Sequence, residues 1–495
     1  FYSAFMVAEK VEVITQSHDN TAATVYWSCD GSPEFELYEV EKKERGTKII
    51  LHINEESKDF LEAHKVKSVL EKFCKFLPVP IYFTDVAEEK KKEEAEISIN
   101  NTNPIWVKKP SDLTKEDYEK FYKELYPFNE TPLFWIHLNV DYPFNLTGIL
   151  YFPKLGSDLQ IQKDKIQLYQ NQVYVTDNVE GIVPEFLTML KGVIDSPDIP
   201  LNVSRSSLQA DGAVKKISNY ITRKVADKLK SLFTENREDF EKKWNDIKIV
   251  LEYGMLSEDK FYEKAGAFTL YPTVDDTYFT LEELKEKLAL NQTDKDGKLV
   301  VLYASNKEAQ HSYIQIAKNK GYEVLLLDSP IISHLIQKIE SDNNTMTFVR
   351  VDSDPIDKLI KKEETSISKL SDDEKEKLKT VLEGLVPKQK YSVQMEALDS
   401  NEAPFIITQP EFMRRMKEMS QTGGGGMFGM GNMPEMYNLV VNTNSELASN
   451  ILNSSDTANQ ENLVKQALDL AKLSQNLLKG EELTAFVKRS FELIK

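Results

Sequence analysis

The chain has 495 residues, of which 41% are apolar and 29% charged, and a formal net charge of −18; this length exceeds one hydrophobic core and predicts three or four domains. The negative charge argues against nonspecific binding to nucleic acids or anionic membranes, and no apolar run approaches the length of about 18 residues that spans a bilayer. Two cysteines and six scattered histidines form neither a disulfide framework nor a metal-ligand spacing, which predicts a cytoplasmic location and no metal site.

The first part of the chain predicts a β-rich domain that is incomplete. Phe1 already lies in an apolar segment, so we expect part of this domain to precede it. Runs of β-forming residues predict strands over 4–53. Apolar residues at helical spacing predict a helix over about 57–76, followed by a short strand at 81–83. The mixed-charge run at 88–94 cannot be buried and predicts a solvated linker or hairpin tip.

The following part, to about residue 245, predicts an α/β layer because strands and helices alternate. Strands are predicted at 133–138, 146–152, 166–169 and 172–176, and helices after Thr114, from Pro184 and over 213–233.

A polar loop between the last two of these helices contains Arg205, and no carboxylate is nearer in sequence than Asp211. Pro197 and Pro200 stiffen the approach to it. An arginine without an acidic residue nearby in sequence can bind an anion from another part of the protein or from a ligand. Its planar guanidinium group fits a phosphate. The alternative is a surface arginine in an ordinary helix–helix connector.

Residues 299–351 alternate apolar strands with helices and predict a βαβαβ unit with a parallel sheet. The first turn of this unit, residues 304–307, lacks a GxGxxG pattern, so we interpret it as a structural module and not a dinucleotide site. Helical connectors are predicted over 236–290, and a capping box begins at Ser371.

Seven of the twelve methionines fall within 24 residues and flank a glycine-rich tract. Such flexible, polarizable side chains suit adaptable contact with many apolar surfaces, so the segment predicts an exposed binding element. The alternative is that the helical methionines face the core of their own domain. The candidate contact residues are Met413, Met416, Met427, Phe428, Met430 and Met433.

Two helices are predicted at the end of the chain, over about 460–478 and 481–494. A second copy would complete a four-helix bundle, which predicts a homodimer; packing against residues 381–410 is the alternative. The candidate interface residues are Leu463, Leu470, Leu473, Leu477, Phe486 and Phe491. The sequence contains no GxSxG, Walker or HExxH pattern from which a catalytic set could be assembled.

Several stretches together resemble the ninety-kilodalton heat-shock chaperones, and in particular their bacterial form. The matching stretches are residues 1–8, 45–47, 103–106, 110–114, 182–187 and 191–209. The resemblance covers essentially the whole chain. It implies a dimeric, ATP-driven clamp that binds and remodels partly folded client proteins, with other chaperones as further partners.

The resemblance also implies an α/β multidomain architecture. We expect a partial GHKL α/β sandwich, a middle domain of two α/β subdomains joined by helices, and an α+β carboxy-terminal domain. The expected segments are the remainder of the ATPase domain (1–84), a charged linker (85–103), the large middle subdomain (104–245), the helical connector with the small βαβαβ subdomain (246–365), and the client-binding and dimerisation domain (366–495).

Residue roles follow from the same resemblance. It implies that Phe1 borders the nucleotide, that Thr47 lies in the adenine pocket, and that Arg205 reaches the γ-phosphate of ATP with Gln209 as its companion. Trp106 and the methionine segment correspond to client-contact regions, with a core tryptophan and a core methionine stripe as the alternatives. ATP and Mg²⁺ would be bound mainly by residues upstream, so this chain alone is expected to show no ATPase activity.

Two other functions remain open at this point. The first is a client-binding and dimerisation module that needs no nucleotide. The second, a GHKL-type topoisomerase subunit, requires a basic DNA-binding face, which the charge of −18 disfavours. The chain ends at Lys495 without an acidic cochaperone-recruiting tail or a retrieval signal, which favours a bacterial protein, with the mitochondrial form second.

Overall fold

The structure is a computed structural model that describes residues 2–19, 21–41, 44–85, 98–154, 165–200, 212–362, 367–422 and 436–493. The architecture is mixed α/β and multidomain, as predicted. The chain forms two compact units. The first comprises Phe1–Pro153, Ile161–Val183 and Leu190–Ser218, and the second comprises Lys154–Gln160, Pro184–Met189 and Asn219–Lys495.

The first unit begins with a four-stranded antiparallel sheet in the order β3-β2-β1-β4. Its strands are β1 Ala8–Gln16, β2 Thr24–Cys29, β3 Glu36–Val40 and β4 Gly46–Ile53. The register places Leu37, Trp27, Val13 and Ile49 in one row across a single face. The outer members of this row, Leu37 and Ile49, are 60% and 63% exposed. The described part of the chain therefore leaves this apolar face incompletely covered.

The structure shortens one predicted helix of the first unit and replaces one predicted strand. The helix expected over 57–76 is a 3₁₀ segment at Glu55–Leu61 followed by helix α1, Ala63–Phe73, because Glu62 has an extended backbone between them. The strand expected at 81–83 is irregular chain. Ile81 bonds to the Asn100 side chain and to the Ile99 amide, and not to a neighbouring strand.

A five-stranded sheet in the order β5-β6-β9-β7-β8 forms the rest of the first unit. The strands are β5 Phe134–Val140, β6 Leu146–Phe152, β7 Ile166–Gln170, β8 Val173–Thr176 and β9 Lys191–Asp195. Helix α2, Lys115–Leu125, precedes them and begins with the predicted capping box of Thr114 and Asp117.

The helix predicted from Pro184 is also wrong. Only a single 3₁₀ turn, Glu185–Leu187, precedes the central strand β9. All five residues of β9 are buried, and it pairs with β6 on one side and β7 on the other. Backbone pairing on both sides outweighs local helix signals here.

A long helix, α3, spans Gly212–Glu235. The second unit continues with α4 Arg237–Ser257, α5 Asp259–Ala265, a short hairpin of β10 Tyr271–Pro272 and β11 Tyr278–Phe279, and α6 Leu281–Leu288. The predicted βαβαβ unit is confirmed, with parallel strands in the order β13-β12-β14. Its elements are β12 Leu299–Ala304, α7 His311–Asn319, β13 Val324–Leu326, α8 Ile332–Asp342 and β14 Met346–Arg350, followed by α9 Ile356–Leu359.

The carboxy-terminal part of the second unit contains a three-stranded sheet in the order β15-β17-β16, whose individual strands were not located from the sequence. Its elements are α10 Asp372–Leu385, β15 Tyr391–Glu396, β16 Phe405–Thr408, α11 Glu411–Thr422, β17 Tyr437–Asn442, α12 Glu446–Asn453, α13 Thr457–Ser474 and α14 Gly480–Leu493. The predicted capping box at Ser371 starts α10. Within the described ranges, no helix combines the length and apolar character that a membrane crossing requires.

Candidate functional site

The approach to Arg205 is rigid, although Arg205 and Gln209 themselves lie outside the described residues. Ser196 Oγ donates to the carbonyl of Asn145 at 2.5 Å, and the Asn145 amide donates to Asp198 Oδ2 at 2.6 Å. Gln170 Nε2 donates to the carbonyls of Pro197 and Ile199 at 3.2 and 3.4 Å. The sequence predicted a helix before this segment. The structure has the central strand β9 instead, so a sheet, and not a helix end, fixes where the segment leaves the fold.

Two glycines allow β6 and β9 to approach closely. Gly192 has φ +132°, and a Cβ atom there would lie 2.0 Å from the carbonyl oxygen of Ile149. Gly148 has φ +153°, and its Cβ would lie 2.4 Å from the carbonyl oxygen of Val193. Side chains at these positions would therefore push the strands apart.

The helix that carries the first methionines, α11, presents them to solvent. Phe412, Met413 and Met416 are 71%, 37% and 36% exposed, and they lie on one side of the helix. Arg414 lies on the opposite side and is only 3% exposed. The helix is therefore amphipathic with its apolar side outward and a charged side buried.

A buried ionic cluster holds this charged side. It consists of three arginines and four carboxylates: Arg350, Arg414, Arg415, Glu340, Asp352, Glu411 and Glu418. Within the helix, Arg414 donates to Glu418 Oε1 at 2.6 Å and to Glu411 Oε1 at 2.5 Å.

Other bonds of this ionic cluster leave the helix. Arg414 Nη2 donates to the Tyr303 hydroxyl on β12, and Arg415 Nη1 donates to Glu340 Oε2 on α8 at 2.7 Å. Burial lowers the pKa of Arg414, but its charged partners and Tyr303 outweigh burial and leave that pKa raised. The ionic cluster thus attaches α11 to the small parallel sheet through charge-assisted hydrogen bonds.

The predicted interface residues on the two terminal helices fall into two groups, one buried and one exposed. Leu463 and Leu477 pack against the core of the carboxy-terminal sheet, and Phe486 is 8% exposed. Leu470, Leu473 and Phe491 are 52%, 41% and 65% exposed. The core that the first group contacts includes Tyr391, Val393 and Phe405. Packing against residues 381–410, the alternative above, therefore accounts for Leu463 and Leu477 but leaves Leu470, Leu473 and Phe491 exposed.

Comparison with known sequences decides the family. The Hsp90 protein family model matches residues 88–484. The chaperone protein HtpG of Bacteroides thetaiotaomicron is 46% identical in an alignment that covers 100% of this chain and 83% of the relative. HtpG of Porphyromonas gingivalis is 50% identical over 96% of this chain and 70% of the relative. The chain belongs to the Hsp90 family. Because both relatives are chaperones by name, a chaperone function is supported.

The family resemblance suggested client contact by Trp106, but the side chain of this residue is fully buried. Its Nε1 donates to Asp195 Oδ2 at 3.2 Å, and its ring packs against Phe76 with centroids 4.6 Å apart. Burial raises the pKa of Asp195, while the hydrogen bonds that it accepts from Gln172 and Trp106 act to lower that pKa. This arrangement agrees with the alternative interpretation, in which Trp106 is a core residue. Client contact by Trp106 would require the core to open.

The remaining family-derived residues are only partly described. Thr47 is exposed on β4, where its hydroxyl lies 2.8 Å from that of Thr15. Phe1, Met427, Phe428, Met430 and Met433 lie outside the described residues, so their roles stay predictions. Among the residues that the structure describes, no three histidine, cysteine or carboxylate side chains are grouped to hold a metal ion.

Sequence reasoning missed the anchoring role of Arg414 and Arg415, which it treated as charges beside a methionine stripe. A signal was present, because Glu411 and Glu418 lie three or four residues from these arginines on either side. Their other partners, Tyr303 and Glu340, are distant in sequence and could not be inferred from spacing.

Proposed function

We propose that this protein is an ATP-dependent chaperone that binds and remodels partly folded client proteins as a homodimer. In this proposal Arg205 contacts the γ-phosphate of ATP, Gln209 assists it, and residues upstream of this chain hold most of the nucleotide and its Mg²⁺. A cytoplasmic location and the segment boundaries predicted above belong to the same proposal. Cys29 and Cys74 are both free thiols, which agrees with a reducing compartment.

The observation that carries the client-binding part is the outward face of α11. Phe412, Met413 and Met416 expose apolar surface on a helix whose buried side is fixed by the ionic cluster. Flexible methionines adapt to surfaces of different shape, which a protein with many clients needs. Because ion pairs hold the buried side of the helix, Phe412, Met413 and Met416 on the other side remain available for binding.

The dimer part of the proposal rests on the outer side of the terminal hairpin. Leu470, Leu473 and Phe491 form exposed apolar surface on α13 and α14, which an isologous contact with a second copy would bury. Arg489 Nη2 donates to Asp469 Oδ2 at 2.6 Å and joins the two helices into one surface.

The nucleotide part rests on two features. The first is the fixed segment that leads from β9 toward Arg205, since a γ-phosphate contact needs a positioned guanidinium. The second is the apolar face of the amino-terminal sheet, which needs a further layer to cover Leu37 and Ile49. Among the described residues Thr47 offers a hydroxyl to this proposed site.

A nucleotide-independent binding module is the second candidate, and the same exposed helix favours it, because apolar contact by α11 requires no ATP. The two candidates differ in whether ATP changes client binding once the upstream residues are present. If ATP addition releases the client, the first candidate is supported. If ATP does not change client binding, the second is supported.

The experiment is suppression of aggregation of an unfolded reporter, reduced α-lactalbumin, by the full 495-residue chain. The triple variant Phe412→Ser, Met413→Ser, Met416→Ser should need at least about fivefold more protein for the same suppression, because three apolar contacts are lost. The matched control is Leu290→Ser with Ile367→Ser, which removes apolar side chains that are 88% and 89% exposed elsewhere. If both variants suppress aggregation equally well, the exposed face of α11 does not bind the client.

A further inference from the structure

A small cavity, which we call the junction pocket, lies inside the second unit between the small parallel sheet and the carboxy-terminal sheet. Its volume is about 110 Å³. Its wall is mostly apolar and is formed by Ile316 of α7, Val351 and Ile356 after β14, and Phe405 and Ile406 of β16. An apolar cavity of about 150 Å³ accommodates benzene, so this space suits one compact apolar group.

One charged group faces this apolar space. Glu402 lines the pocket, and its side chain is only 10% exposed. Its Oε1 atom is buried and has no hydrogen-bond partner. Lys320 Nζ lies 3.8 Å from this oxygen and forms an ion pair with it, and the same ammonium group also pairs with Asp357. This long ion pair without a hydrogen bond compensates the buried carboxylate only in part, so a cationic group in the pocket would stabilise it further.

The charges around the junction pocket are mainly negative. Burial raises the pKa of Glu402 and the charges of Asp357 and Asp399 raise it further, while Lys320 opposes them. Burial also raises the pKa of Asp354 to about 6, with Glu396 contributing. Lys320 and Lys358 pair with Asp357 and Glu396 and leave the other carboxylates in excess. Such a field attracts cations and repels anions.

The wall of the pocket is held in place by hydrogen bonds across the junction. The Tyr313 hydroxyl on α7 donates to the carbonyl of Ile407 on β16 at 3.2 Å. Gln475 Nε2 donates to the same carbonyl at 2.8 Å. The first bond joins α7 to β16 and the second joins the end of α13 to the same strand, so the wall beside the cavity is held before a ligand binds.

We propose that the junction pocket binds a small organic ammonium ion, with its apolar body between Ile316 and Phe405 and its ammonium group beside the Glu402 carboxylate. The ligand would bridge the small parallel sheet and the carboxy-terminal sheet and stabilise their contact. This inference is independent of the proposed chaperone activity and of any nucleotide.

The probe is benzylammonium, titrated into the full chain by calorimetry at pH 8. We expect one saturable site with a dissociation constant on the order of 1 mM, as befits a ligand of few atoms. Benzyl alcohol, which has nearly the same shape and no charge, should bind at least about tenfold more weakly. Equal affinity for the two probes, or no saturable binding of benzylammonium up to about 50 mM, would overturn the proposal.

Three variants locate the site. Glu402→Gln removes the charge and should weaken benzylammonium binding about tenfold. Ser312→Phe fills the pocket rim from the exposed surface of α7 and should weaken binding by a similar factor. Gln315→Phe is the matched control, since it is exposed on the same helix outside the pocket wall and should not change binding. If Glu402→Gln does not fold, the comparison of Ser312→Phe with Gln315→Phe decides; equal affinities for these two overturn the proposal.

Discussion

Met413 and Arg414 are adjacent in the chain and lie on opposite sides of α11, with exposures of 37% and 3%. An ordinary amphipathic helix buries its apolar residue and exposes its charge. Here the arrangement is reversed, because carboxylates and a tyrosine hydroxyl surround the guanidinium of Arg414. The outward face of α11 is therefore a consequence of the ionic cluster beneath it.

Replacement of Arg414 by methionine should destabilise the second unit. The variant leaves Glu411 and Glu418 with fewer partners in a buried setting, and loss of one partner of a buried ion pair costs about 3–5 kcal/mol. Urea unfolding monitored by circular dichroism measures the change. Phe412→Ser on the exposed side of the same helix is the control and should change stability by no more than about 0.5 kcal/mol. Similar losses in both variants would contradict the anchoring role of Arg414.

Glu252 should make the second unit less stable as pH rises. Its side chain is buried, its Oε2 has no hydrogen-bond partner, and burial raises its pKa from 4.5 to about 7. Between these pH values the folded state holds a proton that the unfolded state lacks. Stability therefore falls as pH rises through this window, and the loss is complete above pH about 7.

Glu252→Gln should remove this penalty. We expect the variant to be more stable than the parent by up to about 3 kcal/mol at pH 8 and similar to it at pH about 4.5, as measured by thermal unfolding at both pH values. Glu263→Gln, which changes an exposed carboxylate on the neighbouring helix α5, serves as the control and should show no such difference. A Glu252→Gln variant with the pH profile of the parent would exclude a buried, protonated Glu252.

Gly192→Ala should disrupt the central sheet of the first unit. The new Cβ would lie 2.0 Å from the carbonyl oxygen of Ile149, at a φ of +132° that alanine rarely adopts. We expect a loss of at least about 3 kcal/mol in a urea titration. Gly384→Ala, in helix α10 with open space around it, should be neutral or stabilising by about 1 kcal/mol. Equal stabilities of the two variants would show that the close approach of β6 and β9 is not required for the stability of the sheet.

The outer side of the terminal hairpin should control the oligomeric state. The double variant Leu473→Asp, Phe491→Asp introduces charges on surface that is 41% and 65% exposed in one chain, so the chain should still fold. Light scattering should show a dimer for the parent and a monomer for the variant at micromolar concentration, because burying two charges opposes association. Leu290→Asp is the control and should remain dimeric. A dimeric double variant would place the interface elsewhere.

Arg205→Ala should lower ATP hydrolysis in a protein that includes the upstream residues. If the guanidinium acts on charge that develops at the γ-phosphate, kcat should fall about 100-fold with little change in nucleotide affinity. Steady-state ATPase assays and nucleotide titrations separate these two quantities. Arg223→Ala, an exposed arginine on α3, should leave both unchanged. An unchanged kcat in Arg205→Ala would exclude this residue from the reaction.

Elements with strong local signals were predictable from sequence. The capping boxes at Thr114, Ser371 and their partners form as expected, and so does the parallel βαβαβ unit. Strand β9 was missed, because the sequence after Pro184 was assigned to a helix and a polar loop, and the pairing partners that bury its five residues are distant in the chain. The strands β15–β17 were missed because they are short and because β17 pairs with β15 across 40 intervening residues.

The sequence by itself determined the mixed α/β class, the small parallel sheet and, through its resemblance, the family. These depend on residue periodicity and on motifs that are continuous in the chain. The tertiary structure alone decided that Trp106 is a core residue, that Arg414 is buried while Met413 is exposed, and that Leu463 packs against the core while Leu470 is exposed. Burial and ion pairing depend on partners such as Tyr303 and Glu340, which only folding brings into contact with residues more than 70 positions away.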